Sequence, residues 1–390
     1  MISEEQALAK ILAAIEPIGW ERITLTHGRG RFLVEEFFAK LAMPLFNNSS
    51  MDGYAVRASE CVKGARLRVV GEQPAGVDRE LALGNGEAIR IFTGAPIPRG
   101  ADAVIMQEDV RVDGECMIAN CEVEVGENIR QRGVDLAEGQ KIASRGERIT
   151  PRLASLLASQ GIAEISAGKN PRVAILSTGD ELVPTGKPLA PGQLYESNGV
   201  MLEMLTSATG ANTANLDIAR DEPEPLRAKL AEGLQHDALI VSGGVSVGER
   251  DYVKSELKNL GAELDLWRVA IKPGKPFLFG RCGACKIFGL PGNPVSSFVT
   301  FFCFVRPALL KMAGARELSS EKLRAITTRD LRNDGDRPHY LRGKFTDAEF
   351  TPFGRQESHA LFGLSQSNAL VRLAPGEEIS AGSAVVAFPI

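Results

Sequence analysis

The 390-residue chain has no apolar stretch of membrane-spanning length: the longest, Phe298 to Val305, stops at Arg306, well short of the roughly 20 residues a membrane helix needs. It also lacks a surplus of basic charge. With 45 Lys and Arg against 49 Asp and Glu, the formal net charge of −4 offers no general attraction to nucleic acid or anionic lipid. An anionic ligand must therefore be held by a local cluster. Cysteine is sparse, six residues scattered over a long chain, which excludes a disulfide framework and fits reduced thiols. Cys282-Gly-Ala-Cys285 has metal-ligand spacing, yet no second pair accompanies it, and its flanking runs, Phe277-Leu-Phe-Gly and Lys286-Ile-Phe-Gly, read as a hairpin. The opening Met1-Ile2-Ser3-Glu4-Glu5 has neither the basic start nor the apolar core of a secretory signal, so a cytoplasmic protein is expected. Internal repeats and low-complexity segments are absent.

What is present is an ordinary globular composition, 44% hydrophobic and 24% charged, in a chain too long for one core. Ser3 with Gln6 forms a capping box before Leu8, Ile11, Leu12 and Ile15, which predicts an N-terminal helix. Residues 40–138 carry short β-favouring runs (Leu67 to Val70, Ala88 to Thr93, Ala103 to Gln107) and read as a small all-β module. Thr150-Pro151 opens a short connector helix that Gly161 follows. Across 171–317 strands and helices alternate, predicting a mostly parallel, doubly wound α/β sheet whose ligands sit beyond the carboxyl ends of its strands. From 318 onward β-favouring runs return and predict a second small β domain.

Three of the predicted strand ends carry unusual loops. Ser177-Thr178-Gly179-Asp180-Glu181-Leu182 places two acids directly after an apolar strand. Ser242-Gly243-Gly244-Val245-Ser246-Val247-Gly248-Glu249-Arg250-Asp251 offers backbone N–H groups to phosphate oxygens with few Cβ atoms in the way. Gly289-Leu290-Pro291-Gly292-Asn293-Pro294 turns tightly into a helix N-terminus. Between the last two stands Lys272-Pro-Gly-Lys275-Pro, where two ammonium groups can face a doubly charged oxyanion. Taken singly, each has an architectural explanation: Asn293 or Asp251 can cap a helix, Asp221 with Glu224 can form a capping box, and Lys-Pro-Gly-Lys can be a solvated turn. Three such loops on one sheet edge point instead to a phosphate-bearing ligand.

These motifs, together with Asn48-Ser-Ser-Met-Asp52-Gly-Tyr-Ala-Val56, Thr93-Gly-Ala-Pro96 and Arg130-Gln-Arg-Gly-Val-Asp135, resemble the molybdopterin molybdenumtransferase family in order and spacing over essentially the whole chain. The resemblance implies a homodimer of elongated four-domain subunits. Residues 1–19 would join 171–317 in the α/β domain, 20–39 would join 139–170 in a connector domain, and 40–138 and 318–390 would be the β domains. It also implies a reaction in which adenylylated molybdopterin and molybdate, with a divalent metal, usually Mg2+, give molybdenum cofactor and AMP. Carried over by motif, Ser242, Gly243, Gly244, Ser246 and Gly248 with Pro291, Gly292, Asn293 and Pro294 would hold pterin and phosphate. Asp221 and Asp251 would hold the metal, and Asp180 and Glu181 would shape the same cleft. Lys272, Lys275, Arg342 and Ser358 would bind molybdate, with Arg268 nearby where lysine is usual in the family. Across the dimer Asp52, Thr93, Arg130 and Asp135 would complete the site; Asn47 and Ser50 depart from the acid and alanine often found beside Asp52. The adenylyltransferase that makes the substrate and the molybdoenzymes that receive the product are expected partners; nucleic acid and membranes are not.

Two other readings compete. An adenylyltransferase shares the Ser-Gly-Gly α/β domain but lacks segments such as 40–138 and 318–390. A non-catalytic scaffold would not need Asp52, Asp221, Asp251 and both lysines.

Overall fold

The structure, a computed structural model, describes residues 1–244 and 252–390, so Ser246, Gly248 and Asp251 of the expected site lie outside the described residues. The chain divides into two units, one of Met1–Glu35, Arg145–Ser155 and Ile162–Ile390, the other of Glu36–Ser144 and Leu156–Gly161.

The first unit is built on a seven-stranded sheet. Its strands are β1 (Ile2–Ser3), β2 (Arg172–Thr178), β3 (Asn212–Ala219), β4 (Ala238–Ser242), β5 (Glu263–Ala270), β6 (Pro276–Cys282) and β7 (Cys285–Leu290), in the order β1-β5-β6-β7-β4-β2-β3. Only β6 runs against the rest, because it forms the antiparallel hairpin with β7 in which Cys282 faces Cys285. The hairpin expected from the sequence is therefore present, and both cysteines are free thiols.

Alternation along the central strands explains the double winding. Val173, Ile175 and Ile240 point into a core shared with helices α1 (Glu4–Ala13), α2 (Asn198–Ala208) and α5 (Pro294–Met312). Ala174, Leu176, Leu239 and Val241 point the other way, onto α3 (Pro223–Gly233) and α4 (Tyr252–Asn259) through Leu226, Leu230, Val253 and Leu257. Strands buried on both faces read as continuous apolar runs, and β4 is buried at every position. The capping box of α1 forms as expected, with Ser3 Oγ accepting from the Gln6 N–H and Gln6 Oε1 from the Ser3 N–H, each at 3.1 Å. Helix α5 outruns the apolar run seen in the sequence: its 19 residues are long and apolar enough to cross a membrane, but 78% of its apolar window is buried inside the protein.

The chain after α5 closes a five-stranded barrel of Leu323–Thr327, Glu349–Pro352, His339–Thr346, Ala369–Leu373 and Ala384–Pro389. The barrel leans on the α/β layer. Lys272 N–H donates to the Pro338 carbonyl and Tyr340 N–H to the Lys272 carbonyl, both at 2.8 Å, while the Tyr340 ring joins the α/β core.

The second unit contains a six-stranded sheet in the order Ala103–Met106, Gly53–Val56, Glu87–Ile91, Arg66–Gln73, Cys116–Ala119 and Val110–Asp113. The fold class is thus the expected one, a mostly parallel α/β layer combined with small β structures.

Candidate active site

Register brings the loops together. Ser177 pairs with Ser242, and Ser242 with Leu290, so β2, β4 and β7 end level at one sheet edge. Their loops line a cleft of about 730 Å³ whose wall includes Ser177, Glu181, Asn198, Asp221, Ser242 and Asn293. Gly243 and Gly244 have φ of +89° and +61°, and a Cβ on Gly243 would lie 2.5 Å from the Thr178 carbonyl, so this turn admits only glycine. Gly292 is packed against it, since a Cβ there would lie 3.8 Å from Gly243 Cα. Pro291 and Pro294 also line the cleft.

Asp180, Glu181 and Asp221 gather at one end. The Asp180 carboxylate accepts the Asp221 N–H at 3.1 Å. Burial, then the charges of Asp180 and Glu181, push the Asp221 carboxyl above the usual carboxylate range. Asp221 does not cap α3: that helix starts after Glu222 and has no side-chain cap. Among the described residues no group of three or more His, Cys, Asp and Glu is arranged to hold a metal. The carboxylates of Glu181 and Asp221 in the lining, with Asp180 beside them, are hard oxygen donors, the type a divalent cation such as magnesium takes.

Asn293 likewise makes no cap hydrogen bond. Its Nδ2 donates instead to Ser358 Oγ at 3.1 Å, while the Val295 N–H donates to the Ser358 carbonyl at 3.1 Å. The barrel residues Ser358, His359 and Leu361 are thereby drawn to the mouth of the cleft, whose lining includes His359 and Leu361. Below this turn Arg342 is wholly buried, donating to the carbonyls of Arg355 and Glu357, with Nε and Nη1 unpartnered among the described residues. Burial draws its pKa below the usual guanidinium range.

Lys272 and Lys275 are exposed at the two ends of one turn, and Arg268 is exposed on the adjoining strand. The turn is held by the Val269 N–H donating to the Lys275 carbonyl at 3.0 Å. Gly274 has φ of +118°, and a Cβ there would meet Thr300 Cγ2 at 2.6 Å, which presses the turn onto α5. Neither ammonium has an ion-pair partner among the described residues.

In the second unit the Asp52 carboxylate accepts the Thr93 N–H at 2.7 Å and the Thr93 hydroxyl at 2.9 Å, and the backbone donor, then the hydroxyl, hold its pKa low. Gly53 follows because a Cβ there would strike the Ile105 carbonyl at 1.9 Å. Arg130 pairs with Asn48 across a short ladder, and Ser49 N–H donates to the Ala95 carbonyl, so Asp52, Thr93 and Arg130 belong to one local assembly. Asp135 is exposed and donates its N–H to the Met43 carbonyl at 3.0 Å.

Residues 2–161 match the family model of the MoeA N-terminal region (domain I and II), residues 174–311 that of a probable molybdopterin binding domain, and residues 324–390 that of the MoeA C-terminal region (domain IV). Over its entire length the chain is 37% identical to the molybdopterin molybdenumtransferase of Haemophilus influenzae, 98% of which it covers. The chain belongs to the molybdopterin molybdenumtransferase family. It is also 35% identical to the molybdopterin molybdenumtransferase of Nostoc, over 95% of this chain and 88% of the relative. The molybdopterin biosynthesis MoeA protein of Pyrococcus horikoshii superposes with a TM-score of 0.82 at 30% identity, covering 100% of this chain and 99% of its own. The protein is therefore an enzyme, a transferase of molybdenum cofactor biosynthesis.

Sequence reasoning missed two residues of the cleft of this molybdenumtransferase. Glu196 is buried and accepts from Ser177 Oγ at 2.9 Å and from the Gly199 N–H at 2.6 Å. Asn198 donates to Ser242 Oγ and to the Gly292 carbonyl. The segment Glu196-Ser-Asn198 thus braces all three loops. Locally the segment leads into α2, and a helix start says nothing about long-range partners.

Proposed function

We propose that the enzyme inserts molybdenum from molybdate into adenylylated molybdopterin, releasing AMP and molybdenum cofactor, with a divalent metal such as Mg2+. The observation that carries this reading is the convergence of the three strand-end loops on one cleft with an acidic corner and a barrel-borne serine at its mouth. Glycine turns at Gly243, Gly244 and Gly292, with Ser242 and Asn293, suit the pterin and phosphate groups. Asp221, with Asp251, would hold the metal, which when bound offsets charge on the pyrophosphate. Asp180 fixes the Asp221 backbone, and Glu181 lines the cleft beside it. Lys272, Lys275 and Ser358 supply charge and donors for the molybdate oxyanion, and Arg342, buried beneath and bonded to the Glu357 carbonyl next to Ser358, adds positive charge from behind. Arg268, on the strand beside the lysine turn, adds to that charge. No side-chain nucleophile is required, since an oxygen of molybdate or of water can attack.

The same reading makes the enzyme a cytoplasmic homodimer, in which Asp52, Thr93, Arg130 and Asp135 of a second copy complete each site. The polar assembly around Asp52 supports it, being ordered by Thr93 at the surface of its unit. The direct test incubates purified protein with adenylylated molybdopterin, molybdate and magnesium. AMP release coupled to active cofactor is expected; AMP release independent of molybdate and metal would overturn the proposal.

A further inference from the structure

Asn198 stands at the start of α2 with its side-chain nitrogen 2.7 Å from the Gly292 carbonyl and 3.0 Å from Ser242 Oγ. A carbonyl can only accept, so Gly292 fixes which end of the amide faces it, and the nitrogen must lie there. The second hydrogen of that nitrogen then points at Ser242. An amide nitrogen is not an acceptor, so the Ser242 oxygen receives this bond and its own hydrogen must go elsewhere. Ser242 is 2% exposed, ends β4 and lines the cleft, and no protein acceptor for its hydrogen occurs among the described residues.

We propose that Asn198 is a positioning residue that sets the Ser242 hydroxyl as an obligatory hydrogen-bond donor to a substrate oxyanion in this cleft. The inference rests on the reading that the cleft takes the phosphate-bearing pterin. A serine left alone presents either a lone pair or a hydrogen, whereas an anionic oxygen accepts only the hydrogen. Asn198 removes the wrong alternative before substrate arrives and, through Gly292, holds the third loop at the same time. The neighbouring Glu196, bound to Ser177 Oγ and to the Gly199 N–H, anchors the start of α2 from which Asn198 reaches.

The test is a double-mutant cycle on KM for adenylylated molybdopterin and on kcat for AMP release. Ser242→Ala is expected to raise KM about tenfold, the scale of one hydrogen bond to a charged group. Asn198→Ala should have a similar effect, and the double variant should stay within about threefold of the worse single one. Ser242→Ala keeps the Asn198–Gly292 bond and covers the case in which Asn198→Ala fails to fold; Asn198→Asp, nearly isosteric, reads out the amide's donor role. Its carboxylate would accept the Ser242 hydrogen and repel the Gly292 carbonyl, so KM should rise further than with alanine. Full multiplication of the two single effects in the double variant would show that Asn198 acts through the loop and not through Ser242, overturning the proposal. An unchanged KM in Ser242→Ala, with Lys275→Ala still impairing molybdate use, would overturn it while leaving the cleft assignment intact. Unchanged kinetics in Ser242→Ala, Lys275→Ala and Asp221→Asn together would overturn both.

Discussion

Lys275 carries an exposed ammonium on a turn that its own carbonyl and Gly274 hold in place, so truncating it removes charge without unpicking backbone contacts. Molybdate is a compact dianion, and losing one charge-assisted hydrogen bond costs about 1.5 to 3 kcal/mol. Lys275→Ala should therefore raise the half-saturating molybdate concentration by roughly ten- to a hundredfold, and excess molybdate should restore the rate. A molybdate titration at saturating pterin substrate checks this, and equal half-saturation in the two proteins would assign the lysine to the turn alone. Asp221 behaves differently. Burial and the charges of Asp180 and Glu181 already disfavour its ionised form, so the neutral Asp221→Asn relieves repulsion. We expect that variant to melt at or above the wild-type temperature while losing metal-dependent AMP release, since an amide is a weak ligand for magnesium. A variant that melts lower would show that the carboxylate is structural.

At the scale of elements, the loops were legible because glycine has few other uses at positive φ. Gly243 and Gly244 in sequence announced a turn that the structure places against Thr178 and Val253. Side-chain destinations were not legible: Asn293 and Asp221 look like caps to any local pattern, but Asn293 bonds Ser358, 65 residues away, and α3 begins without a side-chain cap. Glu196 and Asn198 were missed for the same reason, their partners being distant in sequence. The barrel also holds a buried histidine. His339 is 5% exposed, neither ring nitrogen has a partner among the described residues, and burial, then Lys272, Arg342 and Arg337, push its pKa from 6.5 down to about 4. The folded form thus resists a proton that the unfolded chain accepts below its pKa of 6.5. Stability from this group is complete above that pH and lost as pH falls toward about 4, by at most about 3 kcal/mol. The drop in melting temperature between about pH 7.5 and about pH 5 should shrink in His339→Leu, which cannot titrate; an unchanged drop would locate the acid sensitivity elsewhere.

At the scale of the whole molecule, alternation of strand and helix made the α/β layer readable, and short β runs did the same for the small β structures. Closure of the barrel and its seat on Lys272 depended on pairings such as His339 with Leu373, which no local run encodes. The assembly can be tested by function. Asp52 belongs to one compact unit and Asp221 to the other. If each site draws its Asp52 assembly from a second copy of the chain, Asp52→Ala and Asp221→Asn each inactivate both sites of their own homodimers. A mixed dimer then concentrates both lesions in one site and leaves the other intact. Mixing the two inactive proteins under conditions of subunit exchange should restore activity toward a quarter of the wild-type value, because about half the dimers are mixed and each has one good site of two. Sites built within a single copy would each retain one lesion in every dimer, and no activity would return. The decisive readout is AMP release against time after mixing, with exchange followed separately by a tag on one variant. Complete exchange without recovery would rule out the shared site.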